Sequence, residues 1–378
     1  MKVAFITTDN RVPNKDYGCA KPYFGTAPEA LLQGFAQIGE PEIHVISCTR
    51  VTMQSPEKLA PNIYFHSVRV PKIGWMRTLF AGCIWAVRKK LKQIQPDIVH
   101  GQGTEEYCSI SAVLSGFPNV MTIHGNMRLI EQVNKPRLLS YEWLAARLEG
   151  WTVPRAGGVV CITNYTREAV SDLARRAWVV PNAVDSSFFE LNPPPPPETT
   201  PIILCVGFVC TRKNQNAFIR ALDPLAEKAK FKLIFLGQAS SGRNYDDEFL
   251  NLIGQRLWCA HSGFAGREKL KEYFQNASMI ILPSLEDNCP MVVLEGMAAG
   301  VPVVASKVGG VPDLIEEGKT GIFCDPNDPE SMRASVAKVL GDVLAAREMA
   351  ARAKLRARER FYPKIVAERH IEIYRELL

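Results

Sequence analysis

The sequence contains no stretch of roughly 18 uncharged apolar residues, the length a membrane-spanning helix needs, and residues 1–6 lead into a strand-like segment without the layout of a secretory signal. A cytoplasmic protein is expected, peripheral to a membrane's inner face at most. No GxGxxG fingerprint follows the apolar runs 2–7 or 202–207, which argues against a nicotinamide or flavin enzyme. The ten cysteines are scattered, Cys205 and Cys210 being the closest pair, so neither a disulfide framework nor a zinc site is expected. Metal-ligand spacings are missing as well, and no metal or other cofactor is expected. Charge is also sparse: 22% of residues are charged and the formal net charge is +6. That excess suits an anionic substrate or an acidic lipid surface and is too small to argue for nucleic acid.

What the chain has is length and apolar content, 378 residues and 47% hydrophobic, enough for two ordinary cores. Short apolar runs recur at 2–7, 43–47, 97–101, 120–124, 159–163 and 178–182, with helix-length segments between most of them. This alternation predicts parallel βαβ units. In one intervening segment Leu31, Phe35 and Ile38 fall on one helix face, which should pack on a sheet. Pro193–Pro197 can be neither helix nor central strand and reads as a stiff connector. A second series follows at 202–207, 231–237, 279–284, 302–306 and 321–325. The expected fold class is therefore α/β, with two doubly wound parallel-sheet domains facing a cleft. The first domain spans 1–190, a proline-rich linker 191–200, and the second domain 201–362. The last stretch, 363–378, places Ile365, Val366, His370, Ile373 and Leu377 at helical spacing and is expected to lie against another part of the molecule. Ligands of parallel sheets collect beyond the carboxyl ends of the strands, so the cleft is the expected site.

The most informative window is Pro283 to Ser306. A strand ends in a polar turn, Asp287 or Asn288 can cap a helix, Pro290 suits its first turn, and Gly300 stops it. The free N–H groups and partial positive charge of that helix start suit a diphosphate, with Met291 and Val292 as donors because Pro290 has none. Glu295 lies five residues after Pro290, about 7 Å along the axis, roughly the span from a donor sugar to its ribose. Carboxylates at both ends can hold hydroxyls of both groups. Upstream, Arg212 and Lys213 occupy a turn after the second domain's first strand, and two cations beside a helix start form a diphosphate clamp.

This window resembles the signature of the retaining family 4 glycosyltransferases, which have the two-domain, Rossmann-like GT-B fold. The resemblance covers nearly the whole chain, strongest over 200–325. The family's paired glutamates fall on Asp287 and Glu295, so the first is one methylene short; either Asp287 or its neighbour Glu286 would hold the donor sugar, and Glu295 the ribose. Lys213 stands in register with the family's basic pattern, while Phe208 replaces a frequent arginine. Residues 21–39 resemble a reduced form of the family's double-glycine loop, with Gly25 facing donor phosphate or acceptor. His124, ending its strand, matches the family's histidine that supports the donor sugar and the transition state; His100 matches a family motif and reads as structural. Residues 263–278 resemble the turn that contacts the base, with the backbone of Phe264 and Ala265 as candidates. Residues 179–189 match a further family segment, with Ala183 in place of glycine. The final helix resembles the one that returns to the first domain.

The implied activity is metal-independent transfer of a hexosyl group, with retention, from a nucleoside diphosphate sugar to a glycan, lipid-linked or small-molecule acceptor, in cell-surface polysaccharide or glycoconjugate synthesis. The alternatives are a nucleotide-sugar epimerase of the same architecture and a catalytically silent nucleotide-sugar binding protein. Residues 75–94 mix Trp75, Phe80 and Trp85 with Arg88, Lys89, Lys90 and Lys92, a composition suited to an anionic membrane, although such a helix also serves as core.

Overall fold

The computed structural model describes the chain apart from residues 193–199, 241 and 243 and the side chain of residue 133. The proline run expected to form the connector thus lies outside the described residues. The rest divides into two compact units, Met1–Asp185 with Phe361–Leu378, and Ser186–Arg360.

Among the described residues the first unit carries an eight-stranded sheet built from β1 (Lys2–Ile6), β2 (Glu42–Thr49), β3 (Lys58–Ala60), β4 (Ile63–Arg69), β5 (Ile98–Gln102), β6 (Asn119–Ile123), β7 (Val159–Cys161) and β8 (Ala177–Val179), in the order β3-β4-β2-β1-β5-β6-β7-β8. Every pairing is parallel except β3 with β4. The parallel arrangement follows from burial on both faces. On β1, Val3 and Phe5 enter one core with Leu31 and Phe35 of the helix Thr26–Ile38 and with Val366, Ile373 and Tyr374 of the last helix, Pro363–Leu377. Ala4 and Ile6, pointing the other way, pack with Cys83, Val87 and Leu91 of the helix Ala81–Ile94. The last helix is thus part of the first unit's core. It buries Val366, His370 and Ile373, while Ile365 stays outside.

The second unit has a six-stranded sheet of β9 (Ile202–Val206), β10 (Lys232–Leu236), β11 (Cys259–His261), β12 (Met279–Leu282), β13 (Val303–Ser306) and β14 (Ile322–Cys324), ordered β11-β10-β9-β12-β13-β14 and parallel throughout. Ile203, Leu233, Met279 and Val304 meet Phe218 and Leu222 of the helix Gln215–Ala226 in its core.

Strands β3, β4 and β11 and the segment 75–94 depart from the apolar-run reading. β4, with the sequence IYFHSVR, is half-exposed, and its polar alternation hides it from a search for apolar runs, yet it pairs with β2 over seven residues. In the segment 75–94, Trp75 and Phe80 belong to the core at 8% and 2% exposure, leaving Trp85 as the solvent-facing aromatic of the three at 67%. No helix among the described residues is long and apolar enough to cross a membrane.

Candidate active site

In the second unit the chain forms β9, adds β10 and β11 on one side, then crosses to build β12, β13 and β14 on the other. The loops leaving β9 and β12 therefore diverge at the switch point, where parallel sheets collect ligands. The two loops are joined by the Leu285 amide, which donates to the Arg212 carbonyl at 2.8 Å. That bond sets two cations against two acids. Lys213 Nζ lies 2.5 Å from Asp287 Oδ2. Arg212 Nη1 donates to the Glu286 carbonyl at 2.9 Å and reaches Glu286 Oε2 at 3.4 Å. Ser284 Oγ also donates to Asp287, at 3.3 Å. Burial holds the Glu286 carboxyl above its ordinary range, with Arg212 opposing the shift.

Backbone closeness shapes the surrounding loops. A Cβ on Gly237 would sit 1.9 Å from the Gly207 carbonyl oxygen, and one on Gly309 2.0 Å from that of Asp287, so only glycine permits either approach. Gly237 also donates to the Gly263 carbonyl at 2.8 Å, tying the loop after β11 to the one after β10. This loop carries Phe264, 73% exposed, and half-buried Ala265; Phe208, after β9, is 65% exposed.

The helix after β12 runs Met291–Ala299, with Pro290 as its N-cap residue and Gly300 left-handed at its C-cap. Pro290 itself offers no side-chain cap. Asp287, one of the two residues expected as a cap, is drawn to Lys213 and Ser284, a charge-assisted bond outcompeting a cap. The N–H groups of Met291 and Val292 stand ahead of the first intrahelical bond, from Val293 to the Pro290 carbonyl. One turn on, Glu295 is only 3% exposed. A buried, unpaired carboxylate would be costly, and Arg267 supplies the counter-charge, with Nη1 2.7 Å from Glu295 Oε1. Arg267 opens the helix Arg267–Asn276, where the helix dipole disfavours a cation. That misplacement is the sequence signal that marks it, and the sequence reading passed over it.

The first unit has its own switch point, between β1 and β5. The loop after β1 is clamped by Arg11, which is fully buried; it pairs with Asp9 at 2.7 Å and donates to the carbonyls of Cys19 and Gln54 at 2.8 and 2.9 Å. The clamped loop ends at Gly25, the N-cap residue of the helix Thr26–Ile38. Gly25 has φ −58°, and a Cβ there would make only an ordinary contact with Pro28, so the fold itself does not demand a glycine. His124 follows β6. Its Nε2 lies 2.9 Å from Gln102 Oε1, and its ring is also hydrogen-bonded by Asn182. Burial pushes its pKa down to about 4, so the imidazole is neutral at pH 7. Beside it Glu105 accepts from the Gly125 amide at 2.9 Å, its pKa raised by burial to about 6. Gln102 and Glu105 were not singled out from the sequence, because the pairing of β5 with β6 rather than spacing brings them to His124; Asn182 lies in the family-like segment 179–189. His100 is enclosed, bonded to Tyr374 and Thr122. The predicted residues thus fall into two groups: Arg212, Lys213, Glu286, Asp287, Met291, Val292, Glu295, Phe264 and Ala265 at strand ends of the second unit, and His124 and Gly25 at strand ends of the first.

Two doubly wound sheets, one ending in a cationic turn beside the start of a buried helix, define a GT-B-type architecture. Residues 187–360 match the model for Glycosyl transferases group 1 and residues 30–188 the model for Glycosyltransferase Family 4, so the chain belongs to the family 4 glycosyltransferases. An uncharacterized glycosyltransferase of Methanocaldococcus jannaschii is 30% identical over 174 residues, covering 46% of this chain and 44% of that relative. The alpha-maltose-1-phosphate synthase of Mycolicibacterium smegmatis is 26% identical over 297 residues, 71% of this chain and 75% of the synthase. Among solved structures, Anabaena HepE in complex with UDP-glucose superposes with TM-score 0.71 at 17% identity, covering all of both chains, which shows a shared fold.

The buried imidazoles make stability pH-dependent. Burial lowers His66, His124 and His370 each to about 4, and lowers His100 as well. The unfolded chain therefore takes up these protons first. The stability they contribute is complete above pH 6.5 and is lost as pH falls toward 4. Glu105, raised to about 6, and Glu106 and Glu149, also raised by burial, act in the opposite sense, and the four imidazoles outweigh them. All of these groups lie in the first unit. Amide-exchange protection, corrected for intrinsic rates, is expected to fall in the first unit between pH 6.5 and 4.5 before it falls in the second; constant or rising protection there would contradict the assignment.

Proposed function

We propose that the protein transfers a hexosyl group from a nucleoside diphosphate sugar, with retention of anomeric configuration and without a metal ion, to a glycan, lipid-linked or small-molecule acceptor in cell-surface polysaccharide or glycoconjugate synthesis. The observation that carries this reading is the pairing of Arg212 and Lys213 with Glu286 and Asp287 at the switch point of the second unit, beside the start of the helix Met291–Ala299. Family membership and the UDP-glucose held by HepE, a protein of the same fold, support it.

In this reading Arg212, Lys213 and the N–H groups of Met291 and Val292 hold the diphosphate. Glu295 accepts from the ribose hydroxyls, the backbone of Phe264 and Ala265 meets the base, and Asp287 or Glu286 holds the sugar. From the first unit, Gly25 leaves the helix start at Thr26 open to donor phosphate or acceptor. His124, neutral because it is buried, hydrogen-bonds the sugar without adding positive charge next to a forming sugar cation. As the glycosidic bond breaks, negative charge grows on the departing diphosphate, where the two cations and the helix start stabilise it. The acceptor oxygen attacks the same face and passes its proton to the phosphate.

The first unit also offers a surface suited to the inner face of an anionic membrane. Ile73, Leu79 and Trp85 are 76%, 49% and 67% exposed, and Arg88, Lys89 and Lys92 share the outer face of their helix. Apolar insertion and cationic attraction act together in such a surface. Vesicles rich in phosphatidylglycerol should pellet the protein at low salt, and Trp85→Glu should release it; a protein left in the supernatant would dispose of this contact.

The site itself is tested kinetically. Lys213→Ala and Glu295→Ala should each slow release of nucleoside diphosphate from the sugar donor at least tenfold, about 1.4 kcal/mol of barrier. Near-normal rates in both variants would refute it.

A further inference from the structure

Arg267 connects three parts of the second unit. It opens the helix Arg267–Asn276 two residues after Ala265, so it leaves directly from the loop that carries Phe264 and Ala265. Its guanidinium reaches 28 residues along the chain to Glu295, with Nη1 2.7 Å from Oε1. The Phe188 ring lies against it, the Cζ carbon being 5.1 Å from the ring centroid. Phe188 is fully buried and meets Phe274, a buried residue of Arg267's own helix, edge to face at 5.3 Å. The platform under the cation is therefore part of the core. Other charges of this helix pair locally, Lys269 with Glu272 and Lys271 with Glu268, whereas Arg267 crosses to another element.

The two partners differ in surroundings: the Arg267 side chain is 38% exposed and that of Glu295 4%. A carboxylate can turn about its last bond, and only a partner of fixed geometry holds its plane. The guanidinium is planar and rigid. With one face on Phe188 and an edge N–H donating to Oε1, it sets both the place and the plane of the Glu295 carboxylate. A cation at this distance also favours the ionised form, which accepts several hydrogen bonds and donates none.

In any nucleotide the ribose joins the base to the diphosphate. Arg267 starts beside the loop read as meeting the base, and Glu295 lies one turn beyond the amides read as meeting the diphosphate, so the pair belongs to the stretch between them. We propose that Arg267 is a positioning residue that fixes the Glu295 carboxylate for the ribose hydroxyls. This rests on the reading of Glu295 as the ribose contact. Its signature is selective: losing the guanidinium should weaken what the hydroxyls contribute and leave the base and diphosphate contacts, which come from other residues, as they were.

Nucleotide binding by the full chain reads this at equilibrium, with neither acceptor nor turnover. The probe is whichever of UDP, GDP and ADP binds, compared with its 2′,3′-dideoxy analogue, which lacks both hydroxyls. The native protein should bind the hydroxylated form at least about thirtyfold more tightly, as bonds to a charged acceptor warrant. Arg267→Met should reduce that preference to within about threefold by weakening the hydroxylated nucleotide, with the dideoxy one staying within about twofold of native. Glu295→Ala should lose the preference to the same extent, and adding Arg267→Met to it should cost at most about twofold more. Arg267→Lys keeps the charge without the plane; it carries the test if Arg267→Met fails to fold, and should leave a preference below about tenfold. A native-sized preference in either Arg267 variant, or equal weakening of both nucleotides, would overturn the proposal. A Glu295→Ala protein that keeps the preference would instead sink the reading of Glu295 as the ribose contact, as would a native protein that shows no preference or binds none of the three.

Discussion

The arrangement turns on the confrontation of Lys213 with Asp287 at the β9/β12 switch point. Both side chains are mostly enclosed, 16% and 11% exposed, so their attraction is only weakly screened. The pair fixes the Lys213 ammonium at a defined place, against the turn that leads into the helix Met291–Ala299. Neighbouring constraints serve the same end: the Leu285 to Arg212 backbone bond fixes the spacing of the two loops, and Gly309 lets the loop after β13 close on the Asp287 carbonyl. A buried acid further along the helix, Glu295, is kept compatible with its surroundings by Arg267 at the start of the helix Arg267–Asn276. Positive potential and carboxylates are thereby interleaved within a few turns of chain, as recognition of a phosphate flanked by hydroxyl-bearing sugars requires.

The first unit works by different physics. Its candidate residue His124 is surrounded by neutral hydrogen-bonding groups, and burial removes its charge. Its buried, neutral imidazoles make the interior of this unit sensitive to protons.

Much of the fold was legible in the sequence. Both sheets follow from recurring apolar runs, because parallel strands covered on both faces have little polar alternation to blur them. β4 escaped because its outer face is polar, and Trp75 and Phe80 were grouped with Trp85 although they precede the helix Ala81–Ile94 and are buried by the turn before it. In the site, the window 283–306 declared its turn and its helix stop through local chemistry. Its pairings were not legible. Asp287 has the composition of a cap and instead meets a lysine 74 residues away, and Arg267 reaches Glu295 across 28 residues. Gln102 and His124 meet because their strands are neighbours, a relation that only the register between β5 and β6 creates.

The central claim is that the second unit is built around a nucleoside diphosphate. Thermal unfolding of the protein in the presence of UDP, GDP or ADP addresses it directly, since a ligand at 100 times its dissociation constant stabilises the folded state by about 2.7 kcal/mol. The account predicts that one of the three raises the melting temperature by several degrees and that Lys213→Met abolishes the rise. No rise with any of them, or an equal rise in the variant, would contradict it.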